Sequence, residues 1–155
     1  MSDGESLQAL AARCAATLNG VAGQEIATVD LLLRPPFRFL HDVVMTVQRV
    51  TGFPDQLWCG IELDAVALRS TEGRDGKLRF VKKLIAVVWH GKGFTGPPTV
   101  RASKILAGLE PENTNRLLEV GGLVALRALR RRLPHPFLAQ CAYFCWPATL
   151  PRGGL

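Results

Sequence analysis

Residues 77–90, KLRFVKKLIAVVWH, form the most regular stretch of the sequence and decide its fold class. Apolar side chains recur there every three or four residues, which is the spacing of one face of an α-helix. This apolar stripe comprises Leu78, Val81, Leu84, Ile85, Val88 and Trp89. A second, largely basic face comprises Arg79, Lys82, Lys83, Ala86 and His90. The pattern predicts an amphipathic helix with its apolar stripe in a core.

Helical spacing continues toward the N-terminus. Residues 6–18 and 37–50 repeat apolar side chains on one face, and Phe37 is placed in the core. Residues 30–33 predict a short helical turn. Residues 56–68 are mixed and fit one or two short helices, whereas the polar, glycine-bearing residues 70–76 predict a loop.

Toward the C-terminus the same signals predict a loop and two more helices. Residues 91–98 form the loop, and residues 99–106 fit a short helix. A last long helix begins with Pro111, which suits a first helical turn, and runs toward Leu133. No segment alternates apolar and polar residues as a half-buried strand does. The sequence therefore predicts an all-α, compact bundle of about five to seven helices.

The net charge of +6 is unevenly distributed along the 155 residues. Residues 1–75 have six Arg against ten Asp and Glu, a net −4. Residues 76–109 have seven Lys and Arg and no acidic residue, and residues 110–155 have six Arg against three Glu, a net +3. The basic middle predicts an acidic partner, which at this point could be nucleic acid, an anionic membrane or an acidic protein surface.

Several classes of protein find little support in the sequence. The longest apolar runs, residues 31–33 and 84–89, are far shorter than the ~20 residues of a membrane span, so no membrane insertion is expected. The N-terminus lacks a signal pattern. The four cysteines form no compact disulfide framework, which favours a reducing compartment. We expect a soluble, intracellular protein.

Catalysis, cofactors and metals are not expected either. The three histidines lie in different contexts, and no serine or cysteine follows a nucleophile-elbow pattern. The glycine-rich residues 91–96 lack the order of a phosphate loop and follow a helix. His135, Cys141 and Cys145 have no evident fourth zinc ligand, so buried thiols are the better interpretation. The sequence predicts a binding module and not an enzyme.

The candidate binding surface consists of six cations from the acid-free stretch. Its members are Arg79, Lys82, Lys83, Lys92, Arg101 and Lys104. An ordinary solvated helix face would have a similar composition, but the surrounding residues contain no counter-charge. A second basic cluster, Arg127 and Arg130–Arg132, is interpreted as cations that meet the dipole at a helix C-terminus. Nucleic-acid binding would favour aromatic residues interleaved with this second cluster or a known reading helix, and neither is present, so no nucleic-acid partner is expected.

Four blocks of the sequence resemble one family closely. They are RPPFRFLHDVV from Arg34, TGF from Thr51, L-x-F-V-x-K-x-I from Leu78, and KILAGLEPENTNRLL from Lys104. Their order and spacing across about residues 25–125 are similar to the N-terminal domain of the microtubule-interacting subunit of the intraflagellar transport B complex. The resemblance implies a divergent calponin-homology-like fold, which we expect over residues 1–133. The Pro-rich, apolar residues 134–155 do not resemble the linker that follows this domain in the family, and they stay unassigned.

The resemblance also implies a function. It narrows the acidic partner to tubulin or microtubules, and it implies further subunits of the intraflagellar transport B complex as partners. It places the protein in the cilium or flagellum, at the basal body and on the cytoplasmic cytoskeleton. The alternative is a scaffold domain that recognises another transport-complex subunit without direct tubulin binding. That alternative predicts dispersed cations and a large exposed apolar patch.

Overall fold

The computed structural model describes residues 4–54, 56–94, 96 and 98–131, and every regular element in those ranges is helical. The predicted all-α class is therefore confirmed. The elements in chain order are α1 (Leu7–Ala22), α2 (Val29–Leu33), α3 (Phe37–Thr51), a 3₁₀ helix η1 (Gly60–Leu63), α4 (Ala65–Gly91), α5 (Ala102–Leu106) and α6 (Pro111–Arg131). The sequence predicts a domain over residues 1–133 and leaves residues 134–155 unassigned; residues 132–155 lie outside the described residues.

Local hydrogen bonds and backbone angles define the ends of the helices. Ser6 begins α1 because its side chain accepts a hydrogen bond from the backbone N–H of Ala9, at 3.1 Å. Asp64 begins α4 in the same way, and its carboxylate accepts from Val66 and Ala67. Gly52 ends α3 in the left-handed conformation, with φ 74°.

The core lies between four helices, with α1 packed along α6 and α4 packed against α3 and α6. Gly121 and Gly122, in the middle of α6, face these contacts. A Cβ atom at Gly121 would lie 3.1 Å from Val88 Cγ2, and one at Gly122 would lie 3.3 Å from Leu18 Cδ2. The two glycines, which lower helix propensity, thus let α6 approach both α4 and α1.

The predicted loop over residues 70–76 is wrong. Helix α4 begins at Ala65 and continues through this segment to Gly91. It bends at Gly73, whose φ of 58° and ψ of −135° are not helical and are rarely adopted by residues with a side chain. The segment is polar because much of it is exposed, with Arg69, Ser70 and Arg74 in solvent, and exposed polarity is equally compatible with a helix.

The buried face of helix α3 is wider than its predicted apolar face. His41 lies in the interior and is 3% exposed, whereas Phe37, which the sequence places in the core, is only partly buried. The His41 ring stacks on Phe80 with 4.9 Å between centroids, and its Nε2 lies 2.8 Å from the carbonyl oxygen of Glu62. The stacking covers the face of the ring, and the hydrogen bond gives Nε2 a partner, so this nitrogen can be buried. This interaction links α3, η1 and α4.

No helix among the described residues is long and apolar enough to cross a membrane.

Candidate functional site

The structure separates the six predicted cations into different environments. Arg79 and Lys83 face η1 and form ion pairs, and Lys104 forms an ion pair beyond α5. Lys82 and Arg101 line one groove, and Lys92 lines a second groove elsewhere. The expectation of one continuous basic face along residues 79–90 of α4 is therefore wrong in its geometry.

Lys83 is fully buried. Its Nζ donates to Glu62 Oε2 at 2.7 Å and to the carbonyl oxygen of Leu57 at 3.1 Å. Burial lowers the pKa of Lys83, and the neighbouring Glu62 carboxylate acts in the opposite direction. Since its side chain has no exposed surface, Lys83 belongs to the interior and is removed from the candidate binding surface. The reason is that α4 is covered by several elements, so more than its apolar stripe is buried.

Arg79 lies beside the same buried carboxylate. Its Nε is 3.4 Å from Glu62 Oε1, and its guanidinium also pairs with Glu72. Its side chain is 22% exposed. Glu62 further accepts a hydrogen bond from the backbone N–H of Cys59, at 3.3 Å. The charge of Arg79 is thus largely compensated within the fold, by acids that lie outside the acid-free stretch.

Glu62 is the residue that sequence analysis missed. It is 4% exposed and holds Arg79 and Lys83 together, which makes it the centre of a buried polar cluster. We name Glu62, Arg79 and Lys83 the Glu62 cluster. A carboxylate in the irregular residues 56–68 gives no periodic signal, so only the tertiary contact between η1 and α4 identifies it.

Lys82 and Arg101 come together at an open groove between α4 and the start of α5. The groove has an empty volume of about 1110 Å³. Its lining consists of Leu78, Lys82, Ile85, Ala86, Pro98, Val100, Arg101, Ala102 and Ser103. Both cations are exposed, and no acidic residue is among the described residues that line the groove. We name it the Lys82–Arg101 groove; it combines positive charge with an apolar floor.

Lys104 is half-exposed and pairs with Glu110, Nζ to Oε1 at 2.9 Å. Glu110 also accepts a hydrogen bond from Asn113 Nδ2 at 3.1 Å. The Lys104 hydrogen bond, followed by the Asn113 hydrogen bond, lowers the pKa of Glu110. An exposed pair of this kind keeps its two charges available to solvent and to a partner.

Lys92 lines a second groove, along the C-terminal half of α6, with an empty volume of about 850 Å³. Its lining consists of Lys92, Val120, Leu123, Val124, Leu126, Arg127, Arg130 and Arg131. We name it the α6 groove. Three arginines that the sequence assigned to the helix dipole are therefore joined by a lysine from the end of another helix. Arg132 lies outside the described residues.

A third, apolar pocket between α1, α3, α4 and α6 carries no ionisable group in its lining. Within the described ranges, no group of three or more His, Cys, Asp or Glu residues could hold a metal ion. The site proposed and discarded at His135, Cys141 and Cys145 lies outside these ranges. The described surface thus includes two grooves that are lined by basic side chains.

The helical fold and its basic grooves define a small binding domain. The chain belongs to the CH-like domain family of the microtubule-binding protein MIP-T3, whose family model matches residues 10–127. This match confirms the calponin-homology-like fold that the resemblance implied, and it assigns the chain to no known enzyme class.

Curated relatives support the same family. TRAF3-interacting protein 1 of Mus musculus is 38% identical over 102 residues, which are 66% of this chain and 16% of that protein. The protein of the same name from Danio rerio is 36% identical over 113 residues, 73% of this chain and 17% of that protein. The match therefore spans about one sixth of these relatives' length.

Proposed function

We propose that this domain binds tubulin or microtubules, and that the Lys82–Arg101 groove makes the contact. The observation that carries the proposal is the convergence of two exposed cations from α4 and α5 in one groove whose described lining has no acid. The family description as a CH-like domain of a microtubule-binding protein supports the choice of partner. The family supports the wider microtubule-associated role, and the groove is the location that we propose for the contact.

The chemistry of the groove suits an acidic protein surface. Tubulin is acidic, above all in its C-terminal tails, so cations would attract it over a distance of about 8 Å at physiological salt. The exposed charges steer the encounter, whereas the apolar floor around Leu78 and Val100 supplies contact area once water is displaced. Binding of this type weakens steeply with added salt.

The six predicted residues then have different roles. Lys82 and Arg101 are proposed to contact tubulin directly, and Lys104 lies three residues after Arg101, one turn further along. Lys92 would contribute only through a separate region of the surface, since it lines the α6 groove. Arg79 and Lys83 position α4 against η1 and support the groove from inside the fold.

The test is a charge reversal on the full chain. We expect Lys82→Glu/Arg101→Glu to raise the Kd for tubulin about tenfold or more, because each change replaces attraction by repulsion. The matched control, Arg69→Glu/Arg116→Glu, makes the same change in net charge at two exposed helix positions outside both grooves. Co-sedimentation with microtubules and fluorescence titration with soluble tubulin measure both variants, after far-UV circular dichroism has shown that they are folded.

Two outcomes would overturn the site. Equal losses in both variants would mean that binding depends on net charge alone, and an unchanged Kd in the folded groove variant would mean that tubulin binds elsewhere. A reversal at Lys83 is unsuitable for this purpose. It would bury a second carboxylate beside Glu62 and would unfold the protein irrespective of binding.

A scaffold function is the second candidate, and the dispersal of the cations over separate environments favours it. In that case the domain recognises another intraflagellar transport B subunit and needs no tubulin. Capture of purified transport-complex subunits by the full chain in tubulin-free buffer, with no binding to microtubules, would establish this function in place of the first. For either function we propose action at the cilium or flagellum, the basal body and the cytoskeleton, as the family implies.

A further inference from the structure

The α6 groove has the composition of a docking site rather than of an ordinary helix end. Lys92, Arg127, Arg130 and Arg131 surround the apolar side chains of Val120, Leu123, Val124 and Leu126. Leu123 is 50% exposed and lies among these cations in the lining of the groove. The described lining contains no acidic residue, so its charges are not compensated within the groove.

The helix dipole explains only part of this arrangement. A cation is stabilised by the dipole within the last turn of a helix, which accounts for Arg130 and Arg131 at the end of α6. Arg127 lies a full turn earlier, and Lys92 comes from the end of α4. Their convergence with Arg130 and Arg131 over an apolar floor needs a different explanation.

We propose that the α6 groove binds an acidic amphipathic segment of a partner protein. Apolar side chains of the segment would pack on Leu123 and Val120, and its carboxylates would pair with Lys92, Arg127 and Arg130. The groove follows residues 120–131, about 16 Å of α-helix, which matches about three turns of a partner helix. Bidentate pairing of arginine with carboxylate fixes such a segment more specifically than a lysine does.

The lining favours a protein segment over other anionic ligands. Nucleic acids would leave the apolar floor uncovered, and no aromatic residue is present among the lining residues for bases to stack on. A lipid surface needs a projecting apolar surface, whereas only Leu123 among the four apolar lining residues is exposed, and Val120, Val124 and Leu126 are buried or half-buried. Residues 132–155 of this chain contain no Asp or Glu, so they lack the charge that would complement the groove.

This proposal does not rest on tubulin binding through the Lys82–Arg101 groove, because the two grooves share no lining residue. The test uses the full chain and a fluorescein-labelled peptide of Glu and Leu residues, with the leucines at helical spacing along one face. A second peptide has the same composition with the leucines spread around the helix. Fluorescence anisotropy measures the Kd of each.

We expect the patterned peptide to bind, and Arg127→Glu/Arg130→Glu to raise its Kd about tenfold or more. Leu123→Asn removes apolar surface without changing charge, and it should weaken the patterned peptide but not the residual binding of the scrambled one. The control Arg69→Glu/Arg116→Glu makes the same charge change outside both grooves and should leave the patterned peptide's Kd within about threefold of the parent's.

Several results would overturn the proposal. They are equal binding of the two peptides, an unchanged Kd in the folded Arg127→Glu/Arg130→Glu variant, and no binding by the folded parent chain. Displacement of the peptide by duplex DNA or by anionic vesicles at concentrations well below that of the unlabelled peptide would assign the groove to nucleic acid or to a membrane instead. Since tubulin binding is measured separately, failure here and failure of the proposed function are distinguishable.

Discussion

Lys82 and Lys83 are neighbours in the chain, yet they belong to different regions of the molecule. Lys82 lines an exposed groove with Arg101, whereas Lys83 is fully buried and pairs with Glu62. A rotation of about 100° per residue along a helix separates them, and α4 is covered on the side that Lys83 faces. The comparison shows that adjacent basic residues on one predicted face can have different environments, because Lys83 is buried against Glu62 whereas Lys82 is exposed at a groove.

The largest expected difference between the two lysines is in their contribution to stability, and removal of Lys83 tests it. We expect Lys83→Ala to lower the free energy of unfolding by about 3–5 kcal/mol, because it leaves the buried Glu62 carboxylate without its closest partner. Urea denaturation followed by circular dichroism measures this change. Lys82→Ala is the matched control from the exposed groove, and a surface substitution of that kind changes stability by about 0.5 kcal/mol at most.

A double variant shows whether charge or packing is responsible. Lys83→Met/Glu62→Gln removes both charges while it keeps volume and an acceptor for the Cys59 N–H, so much of the lost stability should return. If Lys83→Ala were as mild as Lys82→Ala, the Glu62 cluster would not be a structural element, and the distinction between the two lysines would fail.

The second prediction concerns the bend of α4 at Gly73. Gly73→Ala should lower the free energy of unfolding by about 1–3 kcal/mol, because its positive φ is unfavourable for a residue with a Cβ. Gly20→Ala is the matched control. Both glycines lie within helices in open space, but Gly20 is helical, so alanine should be neutral or stabilising by up to about 1 kcal/mol. Equal effects of the two substitutions in thermal unfolding would show that α4 is not bent at Gly73.

The third prediction concerns the exposed groove, where stability and binding should separate. Lys82→Ala/Arg101→Ala should shift the free energy of unfolding by less than about 1 kcal/mol, since both side chains are exposed. The same variant should weaken tubulin binding at low salt and reduce its salt dependence. Titrations at two ionic strengths provide the measurement, and a salt dependence equal to that of the parent would contradict a role for these cations.

The sequence was sufficient to predict the fold class and most helices. Apolar residues recur every three or four positions in residues 37–50, 77–90 and 111–131, and this spacing fits a helix and not a strand. It was insufficient for the candidate site. Glu62, which pairs with Arg79 and Lys83, comes from a segment without helical periodicity, so its proximity depends on the packing of η1 against α4. Glu72, which pairs with Arg79, lies in α4 itself, in residues that the sequence predicts as a loop. The proximity of Lys92 to the arginines of α6 also depends on tertiary packing, because Lys92 follows α4.

The smallest expected effect concerns Lys104, which stands between the two regions because it is both paired and half-exposed. Its hydrogen bond is the main cause of the lowered pKa of Glu110. A carboxyl group whose folded pKa is depressed contributes stability above its unfolded pKa of about 4.3, and this contribution is lost as the pH falls through the folded value.

Lys104→Ala should therefore move the NMR titration midpoint of Glu110 upward, while Lys82→Ala should leave it unchanged. Because the pair is exposed to solvent, the unfolding midpoint at neutral pH should barely change. A midpoint of Glu110 that is insensitive to Lys104 would mean that the Lys104 charge is available to a partner in full, and Lys104 would then join Lys82 and Arg101 as a primary contact.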